Sequence, residues 1–418
     1  MNILLKSTTI VDSQSAYHKQ TVDILIENGS ISKIAKKIKP TTNCREIGLD
    51  NLHVSTGWFD TSVSFGAPGH EERETLENGL KTASKSGFTG IALHPNTNPV
   101  TDNASAISFL KNQSIHTATE IFPIGSLTVN SKGVDLAELY DMHKHKVISF
   151  GDYKKPITNP NLLKLALQYT QSFDGIVQSY PQENQIAGKG MVNEQVTSTQ
   201  VGLKGIPNLA EELQIIRDLY ILEYAGGKLH IPTISTAKSV SLIKDAKKKG
   251  LNVTCSVAVH NLLLNDSEIV SFNTNCKVHP PLRTKEDIKA LLKGIKEGTI
   301  DVITSDHCPI DIENKQVEFD NAYYGTIGLE SAFGALLTKI PLEVVIEKLT
   351  LGRTLFTNSS LKIEERQAAN LSLFTPSGEY IFSKKDILST SKNAAFLDKK
   401  LKGKAYGVYA NSQLVLNN

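Results

Sequence analysis

The chain has little of what marks several functional classes. Its 418 residues include only four cysteines, Cys44, Cys255, Cys276 and Cys308, and no two of them stand in a Cys-x-x-Cys pair. That argues against a disulfide framework and a structural zinc ribbon, and makes a reducing cytoplasm the expected compartment. No run of about 18 apolar residues occurs, so no segment suits a bilayer crossing. The start, MNILLKSTTIVD, lacks the apolar core of a secretion signal. An excess of one charge is missing too, with 45 Lys and Arg against 43 Asp and Glu. The short basic runs Lys247 to Lys249 and Lys399 to Lys404 read as solvated surface, so neither nucleic acid nor an anionic membrane is an expected partner. Internal repeats and low-complexity segments are absent.

What is present is an alternation of short apolar runs with longer amphipathic ones. Expected strands lie at 89–93, 121–124, 147–150, 175–178, 228–231, 252–256 and 301–305. Expected helices lie at 74–85, 162–169, 210–225, 237–248, 285–297 and 327–337. This order, about eight times over some 300 residues, predicts an α/β fold: a (β/α)8 TIM-type barrel, with a doubly wound open sheet as the alternative. The ends read differently. Runs at 2–10, 22–27 and 31–34 surround Asn28-Gly29, a hairpin turn signal, and the short runs 371–374, 379–382 and 407–409 resemble them. A small β-sandwich domain built from both ends (1–55 plus 361–418) is therefore expected beside a barrel at 56–360.

In a barrel, chemistry sits just past the C-terminal strand ends, and there a resemblance emerges. Trp58 to Glu71 resembles the first barrel strand of dihydroorotase, a family of the amidohydrolase superfamily. Gly87-Phe88-Thr89-Gly90 with Pro95-Asn96-Thr97-Asn98-Pro99 is similar to that family's second strand and substrate loop. Similar blocks follow in the family's order: His230-Ile231 with Ile234-Ser235-Thr236, Pro280 to Arg283, Ser305 to Pro309, Gly325 to Glu330 and Leu401 to Lys404.

The resemblance implies zinc-assisted interconversion of carbamoyl aspartate and dihydroorotate in pyrimidine synthesis, with an Asp as acid/base. It also implies histidine ligands from strands one, five and six. At those positions stand Ser62 and Ser64 on strand one, Ser179 on strand five and Thr233 on strand six. On strand four the ligand falls at or beside Asp152-Tyr153; the strand-eight Asp remains as Asp306. None of the eleven histidines fills a ligand position, and hydroxyls replace imidazole poorly on zinc. No metal or other cofactor is therefore expected.

The substrate positions depart as well. The family's carboxylate-binding Arg falls on Gly66, its ring-contacting Asn on His279, and a further His on Ile310; Asn96 stays, with an equally good reading as a turn residue. Asp306-His307-Cys308 could pair a thiol with an imidazole, but neighbours on a strand face opposite ways, so a buried structural Cys308 is expected. His230 reads as structural. His260 and His279 could rebuild a site with Asp306, and Arg283 could bind an anion or fix its loop. His18, His53, His70, His94, His116, His143 and His145 have no constellation, which makes them surface or satisfied core residues.

The resemblance extends to bacterial homologues without zinc, whose implied partner is aspartate carbamoyltransferase. The expected function is thus a non-catalytic partner of that enzyme, itself an expected homo-oligomer. The alternative is an active cyclic-amide hydrolase with an unconventional or absent metal and Asp306 as acid/base.

Overall fold

The structure is a computed structural model describing residues 2–40 and 44–417. Eight parallel strands form one sheet in chain order: Trp58–Val63, Phe88–Leu93, Glu120–Gly125, Ser149–Phe150, Ile176–Gln178, Lys228–Ile231, Val253–Ala258 and Val302–Thr304. Just past strand eight, His307 bridges Val63 in parallel, and the Ser64 amide donates to the His307 carbonyl at 2.8 Å. That contact brings the last strand back to the first, so the open-sheet alternative gives way to a barrel.

The strands are buried on both faces, as parallel strands under helices must be. Helices return the chain after each strand, among them Leu76–Lys85, Ala104–Asn112, Pro160–Thr170, Asn208–Ala225, Ala237–Lys248 and Lys285–Lys296, with Leu329–Leu336 and Leu342–Thr357 after strand eight. Short polar side chains start them. Thr236, from the Ile234-Ser235-Thr236 block, accepts the Ser239 amide at 3.1 Å, supplying one of the partners that a helix N-terminus lacks. Among the described residues no helix is long and apolar enough to cross a membrane.

The two chain ends combine in one further sheet of eight strands. The N-terminal strand Asn2–Ile10 pairs with Thr21–Glu27 and His53–Thr56, and the latter pairs with the C-terminal strand Leu371–Ile381. Asn28 and Gly29 both take positive φ (52° and 80°), so the expected two-residue turn forms between Glu27 and Ser30. This sheet meets the barrel through Trp58, whose ring lies 4.7 Å from Phe333 and 5.5 Å from Phe374. The barrel floor is closed by Phe59 and Phe122, with the Arg353 guanidinium between them at 5.4 and 5.2 Å from the ring centres.

Candidate active site

Asp306 lies just beyond strand eight with φ at +49°, a left-handed turn that aims its carboxylate into the barrel mouth. His307 faces the other way. Its Nδ1 accepts the amides of Gly328 and Leu329 at 3.1 and 3.3 Å, at the start of helix Leu329–Leu336. The imidazole is therefore engaged by a helix N-terminus and is not paired with Cys308.

Both oxygens of Asp306 are occupied. Ser62 donates its hydroxyl to Oδ1 at 2.9 Å, and the Lys154 ammonium donates to Oδ2 at 2.8 Å. The Ser62 proton is committed to Asp306, so the 2.9 Å contact between Ser62 Oγ and His94 Nε2 requires His94 to donate. That fixes a neutral tautomer with the proton on Nε2. Burial agrees, pushing the imidazole down to about 3. The His94 ring stacks on Tyr153 at 4.3 Å, and burial raises the Tyr153 phenol well above its ordinary value. Thr233, at φ +47°, completes the rim beside Gln178 and Tyr180.

Asp60 anchors this arrangement from below, accepting the Thr304 hydroxyl and the amides of Ser62 and Ser305, both at 3.0 Å. Its carboxyl is pushed up to about 6 by burial. It ties strand one to strand eight and so sets the distance between Ser62 and Asp306.

The other residues singled out in the sequence lie as follows. Ser64 accepts from the Asn96 side-chain amide at 2.8 Å, while Asn96 Oδ1 stays buried without a partner. Ser179 is not in the mouth; its hydroxyl donates to Asp218 at 2.6 Å on the helix side, and Gln178 and Tyr180 face inward instead. Asp152 turns its carboxylate to Ser126 and Thr128, leaving the ring of Tyr153 in the mouth. His230 is satisfied by Thr254 and Ser256. His260 Nε2 lies 3.9 Å from Asp306, too far for a hydrogen bond, and His279 stacks between Tyr180 and Tyr324.

Arg283 fixes its loop. It donates to Ser235, Asn193 and the Ile206 carbonyl, with Glu211 at 4.0 Å, all buried. Arg283→Met is expected to lower unfolding free energy by about 3 kcal/mol, since it strands a buried carboxylate and several acceptors; urea titration checks this, and a loss under about 1 kcal/mol would contradict the role.

Two residues at the centre, His94 and Lys154, were not picked out by the sequence. His94 directly follows a barrel strand, so the strand-end rule itself carried a signal for it; the partner that makes it part of the site, Ser62, is on another strand. For Lys154 there was none, because φ of +52° in a loop swings it back over the mouth.

These donors do not fit zinc. Among the described residues no three His, Cys, Asp or Glu side chains converge, and the carboxylate at the centre already holds an ammonium. The cavity here is about 20 Å³, room for about one water molecule, where small-ligand sites run to about 300 Å³ or more.

Comparison with known proteins agrees with the motif blocks. Residues 53–239 match a family model described as dihydro-orotase-like. The chain is 34% identical to the dihydroorotase of Geotalea daltonii over 427 residues, covering 99% of each, and 35% identical to that of Pelotomaculum thermopropionicum, covering 100% of this chain and 99% of the relative. The chain belongs to the dihydroorotase family. Among solved structures it is similar to an L-hydantoinase (dihydropyrimidinase) from Arthrobacter aurescens, with a TM-score of 0.84 at 20% identity, over 100% of this chain and 97% of that one. At that identity the likeness supports the barrel fold alone. In this chain Asp306, the residue just past strand eight, is held by the Lys154 ammonium.

Proposed function

We propose that this chain is a non-catalytic dihydroorotase homologue of cytoplasmic pyrimidine biosynthesis that binds aspartate carbamoyltransferase. One observation carries the reading: the Lys154–Asp306 pair puts a fixed protein cation on the carboxylate that would have to face a metal or act as base. A general base must present a free lone pair to the substrate proton, and here each oxygen already accepts a hydrogen bond from within the chain, one of them from an ammonium that stands where substrate or metal would approach. Gly66 in place of the carboxylate-binding Arg removes the fork that would seat the substrate. The frame around the mouth persists while its chemistry does not, as expected where the outside of the barrel matters more than its centre.

The tests are direct. Purified protein is expected to hold well under one zinc per chain and to show no turnover of dihydroorotate or carbamoyl aspartate with zinc added. Light scattering with the cognate transcarbamoylase is expected to show a larger particle than either alone; an unchanged mass would count against the partner. Ser62→His with Ser64→His is expected to recover no activity, because Thr233 and Gly66 stay and Lys154 still holds Asp306.

A second reading, a cyclic-amide hydrolase acting without family-type metal, is favoured by full-length similarity to proteins named dihydroorotase. It requires Asp306 to leave Lys154 when substrate binds. Turnover abolished by Asp306→Asn would establish it and overturn the first.

A further inference from the structure

Below the barrel floor, at the N-terminal ends of the strands, lies a cavity of about 540 Å³. The bases of strands three to six and the end of helix Leu342–Thr357 surround it. Its size falls within the range of about 300 to 1,000 Å³ usual for small-ligand sites, and it opens at the end of the barrel opposite the mouth.

One wall is apolar. Phe122, Phe150 and Phe356 back it, and the half-buried Phe173 stacks with His143 at 4.8 Å. The rest is basic. Among the described residues that line the cavity, four cations meet two carboxylates: Lys111 lies 3.7 Å from Glu120 and Lys228 lies 2.6 Å from Asp174, which leaves Lys146 and Arg353 over. A lysine near a helix C-terminus commonly answers the helix dipole, and that accounts for Lys111 in the last turn of helix Ala104–Asn112. It does not account for Arg353, which precedes the last turn of its own helix and is only 7% exposed.

The seat of Arg353 is built by strand two. Gly90 makes room for the guanidinium, since a Cβ there would come 2.7 Å from Nη2, and Thr89 accepts a hydrogen bond from Nη2 at 3.2 Å. A guanidinium has five N–H groups; Nε is buried without a partner. The Phe59 and Phe122 rings attract the charge but supply no oxygen to those groups. Burial pushes the group down to about 10, with Glu120 drawing it back up. Buried charges are as a rule paired, and this one points to a partner from outside the chain.

We propose that the cavity binds a small organic phosphate, a phosphomonoester whose dianionic head meets Arg353 and Lys146 while its apolar body lies on the phenylalanine wall. Two surplus cations match the charge of such a head near neutral pH, and the planar fork of an arginine suits phosphate oxygens. A monocarboxylate would leave one cation unanswered. Nothing here involves Asp306, so the site stands apart from the question of turnover.

Phenyl phosphate is the probe. In calorimetry the full chain is expected to take it up one to one with Kd about 1 mM or below, a modest affinity for its size. Inorganic phosphate, which lacks the apolar body, is expected to bind about 5-fold more weakly or less tightly still. Bound phenyl phosphate is expected to shield Lys146 and Lys228 from acetylation, read by peptide mass spectrometry, which ties uptake to the floor. Lys146 is exposed and lies outside any helix, so Lys146→Glu is expected to melt as the parent does and to bind about 10-fold more weakly. Arg353→Met is expected to abolish binding; should it fail to fold, Lys146→Glu decides alone. No uptake at about 10 mM phenyl phosphate, uptake that leaves both lysines open to acetylation, or undiminished affinity in Lys146→Glu would each overturn the proposal. So would inorganic phosphate binding as tightly as phenyl phosphate.

Discussion

Lys154→Met is expected to destabilise the folded protein by about 3 kcal/mol, and removal of the second charge as well, in Lys154→Met with Asp306→Asn, to restore most of that loss. Asp306 is almost wholly buried and Lys154 is 14% exposed along its side chain. Breaking such a pair from one side strands a charge in a poorly hydrated place, which typically costs about 3 to 5 kcal/mol, and the partial access of water to Lys154 puts the expectation at the lower end. Removing both charges strands nothing, and the asparagine oxygen still accepts the Ser62 hydroxyl. Urea unfolding of the parent, both single variants and the double variant closes the cycle. A Lys154→Met protein within about 0.5 kcal/mol of the parent would mean that the ammonium is a loose contact. The mouth would then be open to cations, and the case against a metal would lose its centre.

How far this site could be read in advance depended on how local each feature is. The strand Lys228–Ile231 and the helix Ala237–Lys248 fall on their expected bounds because run and cap agree: a short, continuously buried run, Leu229 to Ile231, ends the strand, and Thr236 caps the helix. The helix Leu342–Thr357 carries no such local signal. Its inward face carries Lys348 and Arg353 among the buried residues, and Val344-Val345-Ile346 adds a β-branched run, so neither the polar-out pattern nor the propensity was there to be seen. Only the folded barrel supplies the Phe59 and Phe122 rings that make a buried Arg353 tenable.

The mouth divides in the same way. Asp306, Ser62 and Thr233 could be placed because a barrel commits strand ends to one side. Ser179 could not, since a shift of one residue along a strand reverses the face, and Tyr180 and Gln178 took the inward positions. Lys154 and His94 belong to the site through contacts with residues on other strands, information that no local pattern holds.

The histidines, which supply no metal site, are expected to make the protein acid-labile. Burial pushes His94, His230 and His279 down to about 3, and His260 and His307 to about 4, from an ordinary 6.5. In the folded chain these rings stay neutral well below pH 6; in the unfolded chain each takes a proton near its ordinary value. Below about pH 6.5 the unfolded state therefore binds more protons, so stability that is full above that pH is lost as pH falls. At 1.36 kcal/mol per pH unit, each ring is worth up to about 2 kcal/mol by pH 5. Asp60 works in the opposite sense. Raised from 3.8 to about 6, it holds its proton in the folded state between about pH 4 and 6, and so gains stability on acidification over that window, by less than about 3 kcal/mol. Glu212, Asp218 and Asp266 are raised by burial too and act in the sense of Asp60. Carboxyls regain their protons mostly toward the acid end of the range, however, while all five rings lose stability from pH 6.5 down. The net is a loss, and even half of the rings' share is large against the roughly 5 to 15 kcal/mol that holds a domain together. Urea midpoints taken from pH 8 to pH 5 are expected to be level above pH 7 and to fall steeply below 6.5. Midpoints unchanged down to pH 5 would mean that the rings are hydrated or charged in the folded protein, and that the neutral, proton-donating His94 assigned beside Ser62 is wrong.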